Sequence, residues 1–197
     1  HFQYRCPTED DLRWQVNTAV AHGAKGLLWF FLYMRTPHEN YRIAPIDEHW
    51  ERTETYQHLS RVNRTFLKSH AAILSDLTLK CVGHVGTAWG GFTLAEGIGP
   101  LVRAISKNKT PLIISEFLDS KGRTYIAVVN NSQTTSSQTE LRFRGNKPTV
   151  YRVGWEGREN KVDRGDGWEA QQKDDIVTIY PWLAPGQMEI FRIESLA

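Results

Sequence analysis

The pattern of apolar and polar positions along the chain changes near residue 78. Before this point apolar residues recur at intervals of three and four, which is typical of amphipathic helices. After it, short runs rich in β-branched and aromatic residues alternate with turn residues, which is typical of strands. We therefore expect one structural unit over residues 1–77 and a second over residues 78–197.

The first helix is predicted to begin after Thr8, because threonine is a good N-cap residue. Acidic side chains fill its first turn, where the positive end of the helix favours them, at Glu9, Asp10 and Asp11. One apolar stripe then runs along the helix, formed by Leu12, Val16, Ala19 and Val20. Gly23 is expected to end the helix, since glycine readily adopts the left-handed conformation that follows a helix.

The segment 25–33 (KGLLWFFLY) is apolar at nearly every position. A run without alternation predicts a central parallel strand that is covered on both faces. Together with the preceding helix it forms part of a βαβ unit. A single strand of this kind needs parallel neighbours, and this sequence offers none. Because the chain also opens with His1 in mid-pattern, we expect it to be part of a longer polypeptide.

A loop over residues 34–48 and a second helix come after the predicted strand. The loop is too long for a simple connection, and long ordered loops often carry function. The helix is predicted from about Trp50 to Leu77, with its apolar face formed by Leu59, Val62, Phe66, Ile73 and Leu77.

Eight strands are predicted in the second half, with a hairpin turn over residues 119–122. Short strands separated by turns at this spacing favour an antiparallel sandwich. The predicted fold class is α+β: a helix–strand–helix piece, then an antiparallel β-sandwich. The predicted strands are Leu79–Val85, Leu101–Ile105, Leu112–Leu118, Arg123–Asn130, Thr139–Phe143, Thr149–Val153, Asp175–Tyr180 and Gln187–Ile193.

Composition and charge exclude several classes of partner. The net charge is only +2, and the 24 basic and 22 acidic residues are interspersed, which argues against nucleic-acid binding. No apolar run reaches the ~20 residues that span a bilayer, so no membrane partner is expected. Cys6 and Cys81 are expected to be free thiols. The sequence has no metal-ligand motif, so neither a metal nor a cofactor is expected.

Two stretches carry a resemblance to a known family. Residues 5–15 (RCPTEDDLRWQ) and 19–30 (AVAHGAKGLLWF) resemble the last repeat of the (β/α)8 barrel of clan A glycoside hydrolases. They are most similar to β-galactosidase-like enzymes of the family 42 kind and their relatives. Residues 39–47 resemble the loop after barrel strand eight, and residues 184–193 (APGQMEIFRI) resemble the last strand of the β-sandwich appended to many glycosidases.

The resemblance implies that residues 1–77 are the C-terminal αβα piece of a (β/α)8 barrel and residues 78–197 a β-sandwich accessory domain. It implies hydrolysis of O-glycosidic bonds in carbohydrates by a pair of Glu residues at the ends of barrel strands four and seven. No Glu of this sequence matches those motifs. The catalytic pair is therefore expected upstream of His1, no catalytic residue is assigned here, and this chain alone is expected to be inactive.

The implied partners are a carbohydrate substrate and the remainder of the barrel, and no cofactor. An oligomer is compatible with the sequence. An extracellular or periplasmic location is expected ahead of a cytoplasmic one.

The substrate-binding residues implied by the resemblance lie at the end of barrel strand eight and in the loop after it, where barrel enzymes build their sites. They are Trp29, Tyr33, Arg35, Glu39, Asn40 and Tyr41. Aromatic faces stack on the C–H faces of sugars, while polar side chains bond their hydroxyls. Alternatively, Trp29 and Phe31 are core residues and the loop charges form a solvated cluster. Glu39 and Asp47 are a further possible carboxylate pair.

Two other functions remain open from the sequence. In one of them, the chain is a stand-alone β-sandwich carbohydrate-binding module. In the other, it is a structural packing module without a ligand. Exposed tryptophans on the sandwich would bind glycans in a carbohydrate-binding module. Alternatively, they pack against the barrel. The candidates are Trp155, Trp168 and Trp182.

We expect the purified chain to hydrolyse no aryl glycoside, because the implied Glu pair is not part of it. The measurement is release of nitrophenol from a panel of nitrophenyl glycosides. Turnover that disappears in a Glu39→Gln variant would place a catalytic carboxylate in the loop and contradict the expectation.

Overall fold

The computed structural model describes residues 5–30, 32–33, 44–163 and 170–195. Within these ranges, helices precede a set of antiparallel strands, and the change from helix to strand occurs at residue 78. The α+β class predicted from the sequence is confirmed, and two antiparallel sheets form the sandwich-like part. Over the same ranges, each helix is too short or too polar to cross a bilayer.

The first helix, α1, spans Glu9–Ala21 and has the predicted ends. The Thr8 hydroxyl accepts a hydrogen bond from the Asp11 amide at 3.2 Å, and the Asp11 carboxylate accepts one from the Thr8 amide at 2.8 Å. This reciprocal capping satisfies two amides that the helix leaves unpaired. Gly23 follows the helix with a φ of +89° and ends it.

The second helical segment starts later than the sequence predicts. It comprises α2 (Glu54–Phe66), a single π-helical turn (Leu67–Ala71) and α3 (Ala72–Asp76). The predicted start at Trp50 is wrong because residues 47–52 form a turn instead. The Asp47 carboxylate accepts hydrogen bonds from the amides of His49 and Glu51, which commits this stretch to a turn before the helix begins.

The eight predicted strands are all present, with ends shifted by at most two residues. The strands are β1 (Thr78–Val85), β2 (Leu101–Ser106), β3 (Leu112–Leu118), β4 (Thr124–Asn130), β5 (Ser137–Arg144), β6 (Thr149–Val153), β7 (Glu159–Lys161), β8 (Gln171–Lys173), β9 (Ile176–Ile179), β10 (Trp182–Leu183) and β11 (Met188–Glu194). The first sheet has the order β1-β3-β4-β11-β6-β7. The second has the order β10-β5-β9-β8, and β2 pairs with β5.

Sequence patterning missed the short strands β7, β8 and β10. Each has two or three residues, and β7 and β8 are entirely polar, so neither shows an apolar alternation. These strands form because their partners β6, β9 and β5 already offer free edges.

The first sheet is buried on both faces, and this explains its apolar strands. On one face α1 and α2 cover a core that includes Leu12, Val16, Val62, Phe117 and Ile190. On the other face the second sheet covers a core that includes Leu112, Ile126, Val128, Phe143 and Phe191. Alternate residues of β3, β4 and β11 therefore enter different cores. By contrast, β5 alternates between buried and more exposed residues, so one of its faces is open to solvent.

A small cavity of about 170 Å³ lies between the π-helical turn and the first sheet. A bidentate ion pair lines it, in which both guanidinium donors of Arg152 lie 2.9 Å from the carboxylate of Glu189. His70 also lines it, and burial together with the nearby positive charge of Arg152 lowers the pKa of His70 to about 4. His70 is therefore neutral in the folded chain at neutral pH.

We expect the chain to lose stability as the pH falls from about 6.5 towards 4. Unfolding lets His70 regain an ordinary pKa near 6.5, so the unfolded state binds more protons throughout this window. At 1.36 kcal/mol per pH unit, the loss from this residue reaches about 2 kcal/mol by pH 5. Urea unfolding at pH 7.5 and pH 5 measures it. A His70→Gln variant, which cannot titrate, should lose less stability between these two pH values. Equal losses of stability in both proteins would contradict the lowered pKa of His70.

Candidate functional site

The described part of the chain contains two of the six predicted site residues. Trp29 and Tyr33 are described, whereas Arg35, Glu39, Asn40 and Tyr41 lie outside the described residues. Phe31, and Trp168 of the sandwich, also lie outside the described residues. The local structure around the apolar segment and around residues 44–53 therefore defines the candidate site.

The described residues of the apolar segment are not paired as a strand. Among the described residues, its only β-type contact is a parallel bridge between Tyr33 and Ile46, with the Ile46 amide donating to the Leu32 carbonyl at 2.9 Å. The backbone of residues 26–29 forms no hydrogen bond to another described residue. Within the described residues, the segment predicted as a strand over residues 25–33 therefore forms no strand; Phe30 and Leu32 lie at bends.

One face of this segment is covered and the other is open. Trp29 is half-buried and packs against the core that α1 and α2 share with the first sheet. Leu28 is 101% exposed, Phe30 79% and Leu32 58%. Because large apolar side chains are seldom this exposed in a row, the outer face is a surface that another apolar layer is suited to cover.

The start of the segment is anchored to the end of the second helical segment. The Lys25 ammonium donates hydrogen bonds to the carbonyl oxygens of Leu74, at 3.0 Å, and of Leu77. These carbonyls are among those that a helix end leaves unpaired, and a positive charge is favoured there. The anchor holds the segment against the two helices that flank it in sequence.

An aromatic platform, formed by Tyr33 and Trp50, lies at the C-terminal end of the segment. The two rings stack with centroids 4.1 Å apart and an interplanar angle of 13°. Trp50 is 72% exposed, so one face of the pair is open to solvent. Nearby, the guanidinium of Arg52 lies 4.7 Å above the ring of Tyr56.

The turn that presents Trp50 holds it in an uncommon backbone conformation. Trp50 has a φ of +65°, in the left-handed region that disfavours residues with a Cβ atom. The Asp47 carbonyl accepts a hydrogen bond from the Trp50 amide at 3.1 Å, while the Asp47 carboxylate caps the turn. Strain of this kind in a non-glycine residue is concentrated at functional sites.

Sequence reasoning found Tyr33 but missed Trp50, which it assigned to the start of a helix. The available signal was the Asp47-Glu48-His49-Trp50 order, since aspartate often initiates a turn that hydrogen-bonds its own backbone. The possible pairing of Asp47 with Glu39 loses support here. The Asp47 carboxylate is already engaged by two backbone amides, which is a structural role.

The open face of the platform is suited to binding by stacking. Over the described residues, no group of three His, Cys, Asp or Glu side chains is placed to hold a metal ion. Cys6 and Cys81 are both free thiols, and Cys81 is exposed. An exposed indole face beside a tyrosine is the chemistry that attracts the apolar face of a sugar ring.

We expect Trp50→Gly to be more stable than Trp50→Ala by about 1 kcal/mol. Both substitutions remove the same exposed ring, but only alanine keeps a Cβ atom in the left-handed conformation. Chemical denaturation of the two variants measures the difference. At Gln57, an exposed residue inside α2, glycine should instead be less stable than alanine by about 1 kcal/mol, which makes this position the control. Equal stability at position 50 would show that the turn carries no strain.

No protein-family model, curated protein or solved structure matches this chain in the comparisons with known proteins.

Proposed function

We propose that this chain is the C-terminal part of a glycoside hydrolase. In the proposal, residues 25–33 are the last strand of a (β/α)8 barrel, and α1 and α2 are the helices before and after it. The platform of Tyr33 and Trp50 forms part of the wall of the sugar site. The sandwich is an accessory domain, and the catalytic carboxylates belong to residues that precede this sequence.

The observation that carries the proposal is the exposed outer face of the apolar segment. A barrel strand is covered by helices outside, hydrogen-bonds parallel neighbours on both sides, and fills the barrel interior with its other face. Trp29 packs against the core that the helices share with the first sheet, whereas Leu28 is fully exposed and Phe30 is 79% exposed. This division of side chains is what such a strand requires.

The packing of the two helices supports the same arrangement. Consecutive helices of a barrel ring lie side by side over the strand that connects them. Here α1 and α2 contact each other, and their buried residues Val16 and Val62 belong to one core with Trp29 against it. An ion pair between Glu9 and Arg61 also joins the two helices, with a nitrogen–oxygen distance of 3.2 Å.

The position of the platform is consistent with the direction of the chain. In barrel enzymes the active site lies at the C-terminal ends of the strands. Tyr33 is at that end of the segment, and Trp50 stacks on it. Arg35, Glu39, Asn40 and Tyr41 come directly after Tyr33 in sequence and are proposed to bond the hydroxyls of the sugar.

A charge introduced at Leu28 tests the proposal. In this chain alone, Leu28→Asp should change the free energy of unfolding by no more than about 0.5 kcal/mol, because the side chain is fully exposed. In the polypeptide encoded by the complete gene, the same substitution should prevent folding or destabilise it by several kcal/mol, because the charge would be buried without a partner. Thermal unfolding of both proteins measures the contrast.

Trp182→Asp is the matched control, because Trp182 is 57% exposed on β10 of the sandwich and should tolerate the charge in both proteins. The complete polypeptide should hydrolyse aryl glycosides, and Trp50→Ala should lower its kcat/KM about tenfold, the effect of losing one stacking contact. Tolerance of Leu28→Asp equal to that of Trp182→Asp, or a complete polypeptide without glycosidase activity, would overturn the proposal.

A further inference from the structure

A second aromatic surface lies on the sandwich and shares no residue with the platform. It is a groove of about 830 Å³ between the C-terminal half of α1, the β1–β2 connection and the β4–β5 connection. This volume lies within the range of small-molecule binding sites. We call it the histidine groove and define it by six of its lining residues, Trp14, His22, His84, Trp89, Phe92 and Asn131.

A tight turn presents the aromatic side chains of the groove. The Phe92 amide donates to the Trp89 carbonyl at 3.2 Å, and the two residues between them, Gly90 and Gly91, have φ values of +63° and +80°. Two successive positive φ values require glycine or a similar residue, so the Trp-Gly-Gly-Phe order encodes this turn. The turn leaves Trp89 54% and Phe92 44% exposed.

A pair of histidines holds Phe92 in place. Its ring stacks on His84, with centroids 4.8 Å apart and an angle of 17°, and is tilted against His22 at 4.6 Å. His22 Nδ1 lies 2.7 Å from the Thr18 carbonyl oxygen, so the geometry assigns its proton there. His84 Nε2 lies 3.1 Å from His22 Nε2, so one hydrogen bond joins the two rings. Burial, and then the adjacent His22, lowers the pKa of His84.

The polar groups of the groove are oriented by the protein. Trp14 Nε1 donates to Asn131 Oδ1 at 2.8 Å, which fixes the side-chain amide. Asn131 is 9% exposed, and its NH₂ group has no hydrogen-bond partner among the described residues. The side chains of Gln133 and Thr134 line the same wall.

The charge of the lining decides the class of ligand. The chain has 24 basic and 22 acidic residues among 197, yet the groove is lined by no Asp, Glu, Lys or Arg side chain of the described residues. An uncharged lining disfavours a phosphate, a carboxylate or an ammonium ligand, because nothing offsets the loss of hydration. Exposed aromatic faces beside amide and hydroxyl groups match a ligand with apolar faces and many hydroxyls.

We propose that the histidine groove binds a short neutral oligosaccharide, with sugar rings stacked on Trp89 and Phe92 and a hydroxyl accepting from the Asn131 amide. This inference goes beyond the proposed glycosidase function and does not rest on it. The groove belongs to α1 and the sandwich, which this chain contains, so its binding needs no barrel.

Titration of the full chain with neutral oligosaccharides of two to four hexose units tests the inference by calorimetry. We expect at least one of them to bind, and a uronic-acid oligosaccharide of the same length not to bind. Trp89→Ala should weaken binding about tenfold, the loss of one stacked ring. Trp182→Ala removes a comparably exposed tryptophan outside the groove and should leave the affinity unchanged.

Asn131→Asp separates binding from folding. The aspartate keeps the oxygen that accepts from Trp14 but replaces the free NH₂ donor with a negatively charged oxygen. We expect the affinity to fall at least tenfold in a variant whose circular dichroism spectrum shows that it is folded. Unchanged affinity in both this variant and Trp89→Ala would overturn the inference.

Further outcomes distinguish this site from the platform and from a metal site. Trp89→Ala should leave aryl glycoside hydrolysis by the complete polypeptide unchanged. Binding should survive a chelator such as EDTA. Absence of binding across the neutral panel, or binding that EDTA abolishes, would overturn the inference.

Discussion

The structure depends on the burial of the first sheet on both faces. Because β3, β4 and β11 are apolar in both directions, the second sheet covers one face and α1 with α2 covers the other. Burial of apolar surface contributes about 25 cal/mol per Å². The apolar contacts between the helices and the first sheet are therefore the main interaction that holds the helices to the sandwich. It also determines where the apolar segment between the helices lies. The inner face of that segment, through Trp29, joins the shared core, and its outer face remains open.

Both aromatic surfaces result from this arrangement. The platform forms where the segment leaves the helices and meets the turn set by Asp47, which turns Trp50 onto Tyr33. The histidine groove forms where the end of α1 meets β1, which brings His22 and His84, 62 positions apart, into hydrogen-bond contact. In each case a rigid element and a tight turn hold an aromatic side chain exposed. Because these side chains are already ordered, ligand binding costs less of their conformational entropy.

Much of the fold was predictable because its signals are local. The N-cap at Thr8, the stop at Gly23 and the apolar runs of the eight predicted strands each depend on residues within a few positions of one another. The start of α2 was not predictable in this way, because an aspartate turn competed with helical spacing over residues 47–53. The polar strands β7 and β8 form only because a neighbouring strand offers an unpaired edge. The residues of β7 and β8 themselves give no sign of that neighbour.

The sequence by itself determined the elements, the α+β class and the apolar character of residues 25–33, because periodicity and capping act over short distances. It also identified Tyr33 as a candidate. Only the tertiary structure decided that the outer face of this segment is uncovered, that Trp50 stacks on Tyr33, and that His22, His84, Phe92 and Asn131 line one groove. The physical reason is that these contacts join residues far apart in sequence, and packing alone brings them together.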